Sequence, residues 1–143
     1  MKRAIVVAAA GLGLALGLAT MGGPAMGAAP ALTGTWRTAS GNLDVKVAPC
    51  GAKLCGTVAR VLANQSMAQP GAAMKGAPPA AGLKILDGLE AKGDGAWAGK
   101  IYNRENGKTY DCRITLPAAD RMELRAYVVL PLFGQTQVWT RVG

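Results

Sequence analysis

Apolar and polar residues alternate along most of the chain after Thr33, and this period of two is that of a half-buried β-strand. The alternation is clearest over residues 43–47, 109–116 and 122–128. Nowhere after Thr33 does a long apolar stripe follow the helical period. The pattern predicts eight strands, at residues 34–38, 43–48, 54–61, 83–89, 96–102, 108–116, 122–130 and 136–142.

Turn-forming residues, such as Gly93-Asp94-Gly95 and Asn106-Gly107, separate most of these strands by short links. Sequential strands with short links pair as antiparallel neighbours, and eight of them can close on themselves. We therefore expect an all-β fold, a small antiparallel up-and-down β-barrel of about eight strands, formed by residues 32–143 as one domain. A barrel of this size is either filled by its side chains or holds one small ligand.

The one long link is the Ala/Gly/Pro-rich segment 62–82, whose single charge is Lys75. Neither flank is long enough to fold alone, so we interpret the segment as a flexible loop within the domain and not as a linker. Two interpretations stay open for it, an insertion without a role and a lid over one mouth of the barrel.

The first 28 residues have the layout of a secretory signal peptide. Lys2 and Arg3 precede an uncharged apolar run from Ala4 to Ala19, which is shorter than the ~20 residues of a membrane span. Small residues follow, and we expect cleavage between residues 27 and 31; an uncleaved anchor is the alternative. This predicts a periplasmic or secreted bacterial protein without an integral membrane span after cleavage.

The amino-acid composition limits the kinds of catalytic and metal site that the chain can form. The chain has three cysteines and no histidine, which excludes nucleophiles activated by histidine and the common zinc sites. We expect that the protein is not an enzyme and that it has no catalytic residue, no metal site and no cofactor. Among the carboxylates, Asp87 is the candidate for a buried acid, because it shares the strand face of Ile85 and Leu89 and would be buried with them. The net charge is +8, but the basic residues are scattered singly, so no nucleic-acid partner is expected.

Two of the cysteines, Cys50 and Cys55, flank a predicted hairpin turn. In an oxidising compartment they are candidates for a disulfide that fixes the register of the hairpin. A redox-active pair is the alternative. Cys112 lies on the apolar face of its strand and is expected to be a buried core residue.

The ends of the predicted domain resemble those of the calycin superfamily, which includes lipocalins and avidins. Gly34-Thr35-Trp36 opens the first strand, and Arg141 lies on the last. The resemblance implies that Trp36 and Arg141 close the barrel, with the tryptophan plugging one end and the cation stacked on its ring.

A longer resemblance covers almost the whole domain. The strings CGAKLCG (50–56), GAWAGKIY (95–102), GKTY (107–110) and PLFGQTQVWTR (131–141) follow in the order typical of the bacterial secreted family known as domain of unknown function 2147. The resemblance implies a small exported β-barrel without an assigned activity. The chain departs from the family between residues 61 and 83, where an Asn-Pro and an Arg-Pro are missing.

Two functions follow from these expectations. The first is a non-enzymatic periplasmic binder or carrier of a small ligand, with Trp97, Tyr110, Tyr127 and Phe133 as candidate wall residues. The alternative is a cell-envelope interaction module, a solid barrel that presents the apolar hairpin 131–134 to an envelope component.

Overall fold

The computed structural model describes residues 31–75, 80–128 and 134–143; the predicted leader, 1–28, lies outside them. In this part of the chain each β-strand pairs antiparallel with its neighbours in sequence, and the last strand pairs with the first, which closes a barrel. The predicted fold is thus confirmed. The strands are β1 (Gly34–Arg37), β2 (Leu43–Cys50), β3 (Lys53–Val61), β4 (Lys84–Ala91), β5 (Ala96–Asn103), β6 (Lys108–Ala118), β7 (Arg121–Tyr127) and β8 (Gln135–Arg141).

Strand register decides which side chains enter the barrel, because directly opposed residues of neighbouring strands share a face. Trp36 lies opposite Val45, and Ile114 lies opposite Leu124. All four are buried completely. The inward positions form one apolar core, to which Val47, Val58, Leu86, Leu89, Cys112, Met122 and Trp139 also belong.

The alternation fails in β4. Register shifts interrupt its pairing with β3 and β5, and the consecutive residues Ile85 and Leu86 are both buried. The face assigned to Asp87 from its spacing is therefore wrong. Its side chain is 61% exposed and lies 3.7 Å from Lys84 Nζ, so it is an ordinary surface carboxylate.

One end of the barrel is closed by Trp36 and Arg141. The guanidinium carbon lies 4.3 Å from the centroid of the Trp36 ring. Arg141 Nε donates to the carbonyl oxygen of Ala119 at 2.7 Å, Nη1 to that of Thr33 at 2.8 Å and Nη2 to that of Ala31 at 2.6 Å. The cation thus ties the chain before β1 to the β6–β7 turn across the ring.

Gly34 leaves room for this closure. Its φ of +137° is in a region that residues with a side chain rarely adopt. A Cβ there would overlap Arg141 Nη1 and lie 2.8 Å from the carbonyl oxygen of Gly143. The glycine of the Gly-x-Trp string is therefore required by the arginine that covers the tryptophan.

A disulfide joins Cys50 and Cys55 across the β2–β3 hairpin, with 5.7 Å between the Cα atoms. Cys112 is buried as a thiol, and burial raises its pKa to about 12. Among the described residues, no helical segment has the length and hydropathy that a membrane span requires.

Candidate functional site

The end of the barrel opposite Trp36 is open and holds a cavity of about 420 Å³. This volume is within the range of small-molecule pockets, roughly 300–1,000 Å³. The β1–β2 and β5–β6 turns, the β3–β4 link and the ends of β7 and β8 surround it. Apolar side chains of four residues, Ile85, Ile101, Ala126 and Trp139, contribute to its wall.

The inward positions of β8 change from apolar to polar toward the mouth. Trp139 is opposite Met122 in the core, whereas Gln137 and Gln135 are opposite Leu124 and Ala126 and line the cavity. The Trp139 indole Nε1 donates to Gln137 Oε1 at 3.0 Å. The cavity therefore has an apolar floor and a polar rim, an arrangement suited to a ligand with both kinds of surface.

The β3–β4 link is fixed to the mouth through Asn42, a side chain only 3% exposed in the β1–β2 turn. Asn42 Nδ2 donates to the carbonyl oxygen of Gln65 at 2.8 Å, and its Oδ1 accepts from the Gln65 amide at 2.9 Å. The Asn42 carbonyl also accepts from the Leu62 amide at 2.7 Å. These bonds hold the start of the link against the rim.

Residues 62–75 of this link form a small hairpin of their own, with a bridge between Gln65 and Ala73. Met67 and Met74 on this hairpin line the cavity. Methionine side chains are flexible and adapt to varied apolar surfaces. Of the two interpretations of this loop, its position favours the lid.

Two charged residues of the β5–β6 turn, Arg104 and Glu105, also line the cavity. The Glu105 carboxylate accepts from the Ser66 hydroxyl and, at 3.0 Å, from the Met67 amide. The Ser66 bond is the main cause that lowers the pKa of Glu105. This carboxylate therefore holds the hairpin of residues 62–75, the lid hairpin, against the β5–β6 turn.

Arg104, the other charged residue of this turn, is bonded to an asparagine of the β3–β4 link. It is 8% exposed, and its Nη2 donates to Asn64 Oδ1 at 2.9 Å. Its Nε is buried and has no hydrogen-bond acceptor among the described atoms. Arginine is rarely buried to this degree unless it is paired.

The predicted wall residues are divided among three places. Tyr110 and Tyr127 line the cavity, and the Tyr110 hydroxyl accepts from Asn106 Nδ2 at 2.8 Å. Trp97 is opposite Ile114 toward the closed end and packs against the core outside the cavity. Phe133 lies outside the described residues, as does most of the 131–134 hairpin.

Sequence reasoning missed Asn42, Arg104, Glu105 and the methionines of the lid. The first three belong to turns, where polar residues are ordinarily solvated, so the alternation of strands carries no signal for their burial. The adjacent charges of Arg104 and Glu105 in one turn are the sequence feature that marks two of them, and Asn42 has no such mark.

Comparisons with known proteins agree with this geometry. The profile of a family described as uncharacterised proteins conserved in bacteria, DUF2147, matches residues 34–141. No curated protein matches the sequence. Among solved structures, the fold is similar to HP1028 of Helicobacter pylori, described as belonging to the lipocalin family, with a TM-score of 0.61 and 20% identity over 79% of this chain and 84% of that chain. At that identity the likeness concerns the fold.

Proposed function

The chain belongs to the bacterial family DUF2147, and we propose that it binds and carries a small ligand in the cavity at the open mouth of its lipocalin-like barrel. The observation that carries the proposal is the division of the interior into two halves. Toward the closed end, Trp36, Ile114 and Met122 are completely buried in the apolar core. Toward the mouth, a cavity of about 420 Å³ remains between the same strands.

The wall chemistry supports a ligand that is mainly apolar. Ile85, Ile101 and Trp139 offer apolar surface deep in the cavity, and each Å² of apolar ligand surface removed from water contributes about 25 cal/mol. The polar groups at the rim, such as Gln135 and the Tyr110 hydroxyl, would orient one polar end of the ligand.

The proposal describes a binder and not an enzyme. General acid–base catalysis needs a carboxyl or a similar group that reaches the substrate. Among the described lining residues the one carboxylate is that of Glu105, and both of its oxygens accept hydrogen bonds from the lid hairpin. Its depressed pKa also favours a structural ion over a proton donor.

The proposal extends to an exported, periplasmic carrier. Residues 1–28 have the layout of a signal peptide, and the Cys50–Cys55 disulfide and the bacterial family are compatible with export. Such a carrier would hold an apolar molecule that water alone dissolves poorly.

A titration with Nile red, a neutral apolar dye, tests the proposal. Ala126 lies opposite Cys112 on the inward face and lines the cavity, so Ala126→Phe fills space that the dye would occupy. Ala118 is exposed at the end of β6, and Ala118→Phe is the matched control. We expect dye fluorescence to rise on wild-type and Ala118→Phe protein, and the affinity to fall at least tenfold, about 1.4 kcal/mol, for Ala126→Phe.

Equal affinity for all three proteins would contradict the proposal, because the dye would then bind elsewhere. Thermal unfolding of each variant establishes that the barrel is folded before the titration.

A further inference from the structure

Arg104 is a buried cation without a carboxylate partner in the described part of the chain. Other arginines behave in the ordinary way: Arg37 pairs with Asp44 at 2.9 Å, and Arg113 pairs with Asp94 at 2.6 Å. A buried charge is unfavourable unless another charge or a set of hydrogen bonds compensates it.

Hydrogen bonding within the described part of the chain does not complete this compensation. A guanidinium has five N–H donors in a planar fork. Asn64 Oδ1 accepts from Nη2, while Nε is buried without an acceptor among the described atoms. An unsatisfied buried donor destabilises a structure, and such groups in native proteins call for an explanation. Arg104 also lines the cavity, so an oxygen atom of a ligand bound there would add an acceptor for the part of the guanidinium that the cavity exposes.

The neighbouring carboxylate does not take this role. Glu105 is the next residue along the turn, but its oxygens accept from the Ser66 hydroxyl and the Met67 amide, and no ion pair with Arg104 is formed. The Ser66 hydroxyl and the Met67 amide thus already stabilise the negative charge of Glu105. The formal net charge, +8 for the whole chain, stays positive without Lys2 and Arg3 of the predicted leader and further favours an anion over a cation at the mouth.

We infer that the ligand is an amphiphile with one carboxylate head group and that Arg104 receives this carboxylate. The inference rests on the proposed function and names its substrate class. The fork of a guanidinium matches the two oxygens of a carboxylate. The apolar tail would lie on Ile85, Ile101 and Trp139. One guanidinium balances one negative charge, whereas a phosphate monoester carries about −1.5 to −2 and would leave charge buried and unpaired.

Calorimetric titrations of the full protein with decanoate and with decanol test the inference at neutral pH. The two probes share a tail and differ in the head group. We expect the wild type to bind decanoate at least tenfold more tightly than decanol, which is about 1.4 kcal/mol. In Arg104→Gln the preference for decanoate over decanol is lost, because the carboxylate no longer meets a cation.

Two further variants distinguish a specific contact between Arg104 and decanoate from a general effect of positive charge on decanoate binding. Arg60 is exposed on β3 and does not line the cavity, so Arg60→Gln removes the same charge and should leave both affinities unchanged. Arg104→Lys keeps the charge without the fork and should retain part of the preference for decanoate.

The inference is overturned if wild-type protein binds decanol as tightly as decanoate, or if Arg104→Gln leaves decanoate binding intact. In either case the carrier function stands. If neither probe binds, the carboxylate inference also fails, and the Nile red titration decides separately whether the cavity takes a ligand. Should Arg104→Gln not fold, the ratio of the two wild-type affinities still decides the question.

Discussion

Removal of the Arg141 side chain should open the closed end of the barrel. In Arg141→Ala three carbonyl oxygens, those of Ala31, Thr33 and Ala119, lose their donor, and the Trp36 ring loses the cation that covers it. The backbone around the ring stays where the strands hold it. The ring itself, which is completely buried in the native barrel, becomes accessible to water.

The magnitude follows from these contacts. A net hydrogen bond contributes about 0.5–1.5 kcal/mol, and water can replace the donor at this half-exposed residue, so the low end applies to each of the three bonds. A cation–π contact contributes about 0.5–1 kcal/mol when it is not fully desolvated. Together the loss is about 2–2.5 kcal/mol, which for a domain of this size lowers Tm on the order of 10 °C.

Urea and thermal unfolding followed by circular dichroism measure this loss. Arg121→Ala is the control, because Arg121 makes a surface pair with Glu123 at 3.3 Å, and exposed pairs are worth at most about 1 kcal/mol. Arg141→Lys keeps a cation near Trp36 without the contacts to three carbonyl oxygens. Its loss of stability should therefore lie between those of Arg121→Ala and Arg141→Ala. If Arg141→Ala destabilises no more than Arg121→Ala, the cation does not close the barrel and the reasoning fails.

Three other consequences concern buried or tightly held groups. Because burial raises the pKa of Cys112 to about 12, iodoacetamide at pH 8 should leave this thiol unmodified in the folded protein and alkylate it in urea; equal rates would contradict its burial. The bond from Ser66 lowers the pKa of Glu105, so the hold on the lid exists above the unfolded pKa and is lost as pH falls through the lower folded value. The exchange rate of the Met67 amide, corrected for its intrinsic pH dependence, should rise over that acidic window and should already be high at neutral pH in Glu105→Gln. A Cβ on Gly56 would lie 2.9 Å from Leu86 Cβ, so Gly56→Ala should destabilise by about 1–3 kcal/mol in urea unfolding. An unchanged midpoint would show that β3 and β4 move apart to make room for the methyl group.

The barrel was predictable because most strands have one buried and one more solvated face over most of their length. The alternation of Leu43, Val45 and Val47 reports that arrangement directly, and short links then determine the order of strands. The prediction failed for Asp87 because a register shift breaks the period of two. Gly88, which has a φ of +61° within β4, is the residue that marks this shift in the sequence.

The cavity was predictable only in part. Tyr110 was assigned to it from an inward strand position, and the structure agrees. Trp97 is also on an inward position, but alternation does not say at which end of the barrel a residue lies. Arg104 belongs to a turn, and its burial depends on Asn64 and on a loop far away in sequence. Such contacts follow from tertiary packing, which local pattern does not encode.

Native mass spectrometry of the protein purified without denaturant from a bacterial host tests the central claim most directly, namely that the mouth cavity holds a ligand. The account predicts an additional bound mass that is lost on denaturation, is absent from Ala126→Phe and remains with Ala118→Phe. The bare mass of the chain for the wild type, under conditions that preserve the fold, would contradict it.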